Sequence, residues 1–131
     1  MSVTKRFSIL SLMILCLSPV VYPKRIFRCP SACSCSKESI ICVGSSSVPR
    51  IIPNDINSLS IVNGTFSEIK EAMFSHVPSL QLLFIESNKI ETTSRYAFRG
   101  LRDLTHLSLA NNNMKALPRD LFMDLDSLIE L

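Results

Sequence analysis

The stretch LTHLSLANNNMKALPRDLFMDL, residues 104–125, decides how the chain is read. Within it Leu104, Leu107, Leu109 and Asn112 spell L-x-x-L-x-L-x-x-N. The pattern stands again 24 residues earlier, at Leu80, Leu83, Ile85 and Asn88, followed by Ile90, Phe98 and Leu101. A weaker copy precedes that one at Ile56, Leu59, Ile61, Gly64 and Phe66, followed by Phe74 and Val77. Leu128 and Leu131 begin a further copy. One match could arise by chance; three in register, with Phe98 and Phe122 also 24 apart, make a repeat.

A period in the 20–29 residue range with this consensus marks the leucine-rich repeat. Each unit is a strand plus a return segment and cannot bury its apolar side alone, so units must stack. The fold expected is α/β: a short leucine-rich-repeat solenoid with parallel strands on the concave face, closed at its start by a disulfide-bonded N-terminal cap. Its repeats run 56–79, 80–103 and 104–127, with an incomplete unit from 128. Asn88 and Asn112 are expected to bond backbone groups left open where the strand bends away, and to stack into a buried ladder. Leaving such a group open costs roughly 1–3 kcal/mol. Gly64 has no side chain to offer, so water is the expected partner at that turn. The return segments, such as 91–103 and 115–126, should be irregular or single helical turns on the convex side, with Phe74, Phe98 and Phe122 pointing inward.

Strand side chains alternate between faces, so the residues between the apolar positions can be assigned to the concave surface. They are Ser58, Ser60 and Val62; Leu82, Phe84 and Glu86; His106, Ser108 and Ala110. Leu82 and Phe84 are large apolar groups with no core to enter, and clustered exposed apolar surface marks interaction sites. The partner-binding face is therefore assigned to Val62, Leu82, Phe84, Glu86, His106 and Ser108. The competing reading is that a glycan or a neighbouring side chain covers them.

The 131 residues suffice for one domain. The formal charge of +3 falls to +1 once Lys5 and Arg6 are set aside, which leaves no electrostatic footprint for nucleic acid or acidic membranes. Lys5 and Arg6 open a leader, and Phe7–Leu17 is an apolar run too short for the roughly 20 residues of a bilayer span. Residues 1–18 thus read as a secretory signal peptide, cut between 18 and 24, with an uncleaved anchor as the rival. No later segment spans a membrane, and the chain is expected outside the cell. Residues 19–28 form a flexible, basic lead-in; Arg25 and Arg28 have convertase-site spacing, although a solvated arm is the simpler reading.

Cys16 belongs to the leader. Cys29, Cys33, Cys35 and Cys42 remain, an even number in a chain bound for an oxidising compartment. Ahead of a repeat array this spacing reads as the N-terminal cap, residues 29–55, which covers the apolar end and open strand edge of the first repeat. Ser39–Val43 is expected as its strand. Four cysteines allow three pairings, and spacing does not choose among them. A zinc site is the rival, with no histidine nearby. In the bridge 44–55, Pro49 and Pro53 block regular pairing, and Val48 and Ile52 are the expected buried anchors. Asn63-Gly64-Thr65 is an N-glycosylation acceptor, placed on the rim of the strand face.

Catalytic constellations are absent. His76 reads as a solvated turn residue. His106 shares a surface with Ser108, but neighbours on one strand point side by side into solvent and offer neither an oriented base nor an oxyanion hole. There is no phosphate-binding glycine loop. Asp120, Asp124 and Asp126 match no cation loop and read as a solvated charge run. No enzyme activity, metal or cofactor is expected.

The runs CPSACSCSKESIICVGSSSVPR, IKEAMFSHVPSLQLL and AFRGLRDLTHLSLANNNMKALPRDLF resemble the amino-terminal half of the leucine-rich glioma-inactivated (LGI, epitempin) family over about residues 29–131. The resemblance implies Cys29–Cys35 and Cys33–Cys42 disulfides. It also implies a secreted glycoprotein whose capped repeats precede a seven-bladed β-propeller, binding catalytically inactive ADAM-type receptors in synaptic and axon–glia settings. Against that pattern the chain stops at Leu131, before the propeller, and is one repeat short between Leu83 and Phe84, as loss of one repeat-encoding exon would leave it. A structural matrix-type solenoid and a non-functional spliced fragment are the alternatives. Self-association through the uncapped C-terminal end is a further expectation.

Overall fold

The computed structural model describes residues 27–131. The leader, Cys16, Arg25 and residues 19–26 of the lead-in lie outside the described residues. Seven strands form: β1 (Cys33–Cys35), β2 (Ser39–Val43), β3 (Ser58–Val62), β4 (Glu68–Ile69), β5 (Leu82–Glu86), β6 (Thr92–Thr93) and β7 (His106–Ser108). Five of them make one sheet in the order β1-β2-β3-β5-β7, and β4 pairs with β6 in a second sheet. β1 is antiparallel to β2, while every later pair is parallel. The register advances one repeat at a time: Leu59 lies opposite Leu83, and Leu83 opposite Leu107.

Parallel neighbours need a crossover, and here short turns supply it. Ser75, Val77 and Leu80 donate their N–H groups to the carbonyls of Ala72, Phe74 and Val77, and the next repeat repeats the series through Arg99, Leu101 and Leu104. At the start of each strand one carbonyl accepts two N–H groups from the next rung: Glu38, Asn57, Gln81 and Thr105 all do this. The last of these holds Ile129 and Glu130, and Glu130 forms a parallel bridge to His106. The fourth rung has therefore begun to pair.

Alternate side chains of β3, β5 and β7 point into the core, where Leu59, Ile61, Leu83, Ile85 and Leu107 are buried. Each such side chain contributes roughly 1.5–3 kcal/mol. Phe74 and Phe98 are buried and stacked, with ring centroids 6.0 Å apart. Phe122, expected to match them, packs against the core but stays half-buried, because no further rung covers it in the structure. At the other end, disulfides join Cys29 to Cys35 and Cys33 to Cys42, tying the lead-in and β1 to β2. Val48 is buried and Ile52 packs against the core.

The turn after each strand repeats a single backbone device. Gly44, Asn63, Ser87 and Asn111 all take positive φ, between 53° and 73°. Asn88 then reaches back to the preceding rung. Its Oδ1 accepts the Gly64 N–H at 2.7 Å, and its Nδ2 donates to the Ile61 carbonyl at 2.9 Å. Asn112 does the same for the Asn88 N–H and the Ile85 carbonyl, at 3.1 and 2.7 Å. The ladder thus runs from side chain to backbone rather than from one side chain to the next. Asn88 is buried and Asn112 half-buried.

The Gly64 N–H itself is satisfied by Asn88. A Cβ at Gly64 would meet Asn88 Oδ1 at 2.6 Å, the Ser45 carbonyl oxygen at 2.7 Å and Phe66 Cε1 at 2.8 Å. The first repeat therefore has no room for the Asn that the consensus places there. Gly64→Ala should cost about 2–4 kcal/mol through overpacking and loss of the Asn88 bond, read as a lower urea midpoint at unchanged m value. A midpoint within error of the parent would show that the turn accommodates the methyl group.

Candidate functional site: the concave face of the sheet

The residues of β3, β5 and β7 that do not enter the core stand on the opposite face, half-buried. They are Ser58, Ser60 and Val62; Leu82, Phe84 and Glu86; His106 and Ser108. The parallel register aligns them in rows across the strands. Ser39, Ser58, Leu82 and His106 form one row, and Ile41, Ser60, Phe84 and Ser108 a second. Val43, Val62 and Glu86 form a third. The structure therefore gathers Val62, Leu82, Phe84, Glu86, His106 and Ser108 on one surface. Ala110 lies beyond β7 in an exposed turn.

Phe84 has serine on both sides in its row, Ser60 and Ser108. Neither serine can shield a benzyl ring, so its open side faces the concavity. The sequence reading missed two members of the surface. Ile41 is 50% exposed and Val43 55% exposed, both on the cap strand β2. The usable signal was alternation within SIICV: with Ile40 and Cys42 turned inward, Ile41 and Val43 must turn outward. The result is an apolar run, Ile41, Val43, Val62, Leu82 and Phe84, on the cap-side half of the sheet.

The far half is polar. His106 Nε2 lies 3.3 Å from Glu130 Oε2, and its Nδ1 lies 2.8 Å from Thr105 Oγ1. Ser108 Oγ accepts the Ala110 N–H at 3.5 Å, and Asp120 pairs with Arg95. His106, Ser108 and Asp120 thus serve three separate local contacts. His76 is corrected from a solvated turn residue to a half-buried one: its Nε2 lies 3.1 Å from the Pro49 carbonyl oxygen and docks the first return segment onto the bridge. Among the described residues no three His, Cys, Asp or Glu side chains converge as metal ligands, and no helix is long and apolar enough to cross a membrane. Asn63 is exposed one residue past Val62, at the rim of the face, and Thr65 beside it is exposed as well.

Residues 55–114 match the leucine-rich-repeat family model. The human LGI family member 2 is 74% identical over 65 residues, which cover 50% of this chain and 12% of that protein. The mouse LGI family member 3 is 43% identical over 88 residues, 65% of this chain and 16% of that protein. Over these stretches the chain is similar to the leucine-rich-repeat region of LGI family proteins. Its fold is shared with the human trophoblast glycoprotein, also titled Wnt-activated inhibitory factor 1, at a TM-score of 0.70 and 21% identity over 82% of this chain and 41% of that one. TLR13, solved with ssRNA13, aligns at 0.62 and 20% identity over 74% of this chain and 18% of that one. The resemblance drawn from the cap and repeat runs holds, and the LGI-type repeat array is a protein-interaction module. The chain spans about one eighth of the length of LGI family member 2.

Proposed function

We propose that the chain is a secreted, non-catalytic interaction module whose concave face docks an extracellular protein. The observation that carries the reading is the apolar run Ile41, Val43, Val62, Leu82 and Phe84, held half-open on paired strands. Secretion is supported by the apolar leader and by four cysteines in two disulfides. The resemblance supplies the finer partner class, an ADAM-type receptor in a synaptic setting. A large aromatic flanked by small side chains is the arrangement that concentrates binding energy in one residue. Phe84→Ser extends the serine row and removes no core side chain. It should change stability by less than about 1 kcal/mol while weakening binding of the secreted chain to an ADAM-type ectodomain at least tenfold. Unchanged affinity in the variant would move the contact off this face.

Glycosylation of Asn63 belongs to the same proposal. The side chain is exposed at the rim, where a glycan would border Val62 and leave Phe84 open. Asn63→Gln should shift the mobility of the secreted chain by one glycan, and a parent chain insensitive to glycosidase would refute occupancy.

The exposed apolar side chains beyond β7 support a second activity, self-association. Leu109, Met114, Leu117, Phe122 and Leu131 line a hollow of about 450 Å³ there, and Leu131 is 66% exposed. A chain of these 131 residues should associate with itself as its concentration rises. Leu117→Glu should weaken that association at least tenfold in sedimentation equilibrium, since it sets a charge in the apolar contact. A parent chain that stays monomeric at high concentration removes the idea.

A further inference from the structure

Asn63-Gly64 is the single Asn–Gly pair of the chain. In an unfolded chain this dipeptide is the one most prone to lose its side-chain amide, because glycine has no Cβ to keep its backbone nitrogen from the preceding side chain. The Gly64 nitrogen attacks Cγ of Asn63. An N–Cγ bond forms, the Cγ–Nδ2 bond breaks, and ammonia leaves with the proton that the Gly64 nitrogen gives up. Water then opens the cyclic imide at either carbonyl, leaving aspartate or isoaspartate at position 63.

The fold cannot escape this pair by substituting Gly64, since a Cβ there would collide with Asn88 Oδ1, the Ser45 carbonyl and Phe66. The same contact also disarms it. The Gly64 N–H donates to Asn88 Oδ1 at 2.7 Å in a buried bond. Asn88 is only 4% exposed and is anchored in turn by donating to the Ile61 carbonyl. Meanwhile the Asn63 side chain sits in solvent, on a backbone with φ of 53°. The amide is thus accessible while its nucleophile is tied to a buried acceptor on the next rung. We infer that Asn63-Gly64 is a latent deamidation site and that Asn88 is its guard, so that opening of one rung starts the reaction. In chains that carry no glycan at Asn63, conversion sets a carboxylate on the rim one residue past Val62, which lies opposite Glu86.

The test uses the secreted chain carrying Thr65→Ala, which leaves Asn63 unmodified and the Asn–Gly pair intact. The chain is held at mildly alkaline pH, and aspartate and isoaspartate at position 63 are counted by peptide mapping. A synthetic peptide of residues 58–68 is the reference. The folded chain should react at least about tenfold more slowly than the peptide, the factor that one buried hydrogen bond supplies. The slowing should track the hydrogen-exchange protection of the Gly64 amide. Asn88→Ala should bring the rate toward that of the peptide. Asn112→Ala, which frees the Asn88 N–H but leaves the Asn88 side chain on Gly64 and Ile61, should accelerate it far less. Equal acceleration by the two variants would assign the protection to general loosening. If Asn88→Ala fails to fold, the exchange comparison still decides: a peptide-like rate in the parent beside a protected Gly64 amide overturns the inference.

Discussion

Each rung of this solenoid ends where the strand bends away and leaves an N–H and a carbonyl with no strand partner. After β3 and β5 one asparagine from the next rung satisfies both. Asn88 binds the Gly64 N–H and the Ile61 carbonyl, and Asn112 binds the Asn88 N–H and the Ile85 carbonyl. The residue type follows from the task. Aspartate lacks the donor when ionised, and glutamine carries one methylene more, so its amide would sit farther from a turn this close. Either group left open in the buried turn would cost roughly 1–3 kcal/mol. The clamp also dictates its surroundings. The residue before each clamped position takes positive φ, at Asn63 and Ser87, and the position facing Asn88 must be glycine.

The apolar ladder was legible in the sequence because its cause is local. A strand alternates, the repeat fixes the interval, and the buried set Leu59, Ile61, Leu83, Ile85 and Leu107 follows. What escaped notice depends on residues a full repeat away. The partner of Gly64 is 24 positions downstream, and the carbonyl that receives His76 is 27 positions upstream. The period points to the asparagine at each turn but not to which backbone group it takes, and nothing periodic points to the Pro49 carbonyl. The concave residues of the repeats were legible by the same alternation. Ile41 and Val43 were not, because the cap strand lies 19 residues before β3 and so falls outside the 24-residue comb. Alternation within that short strand was the clue left unused.

The concave face inherits its chemistry from the way parallel strands are stacked. Side chains in one row point the same way and stand about 4.8 Å apart, which suits a shared contact surface. The same arrangement suits catalysis poorly. His106 and Ser108 are on one strand, and each is taken up by its own neighbours, Glu130 and Thr105 for the ring and the Ala110 N–H for the hydroxyl. A nucleophile and its base need to converge from different directions. A row of outward side chains instead suits contact by pattern, and here apolar groups on β2, β3 and β5 stand among serines while β7 is polar.

The placement of the apolar residues has an energetic sense. In a stack of repeats, stability is approximately a sum of nearest-neighbour terms, so the rungs paired over the greatest length are the best supported. β2, β3 and β5 pair over five residues each, whereas β5 and β7 pair over three. Two disulfides pin β1 and β2. The apolar run therefore sits on the most extensively paired strands among the described residues. A partner docking there orders little that is not already ordered, and the entropy that a looser face would cost is avoided.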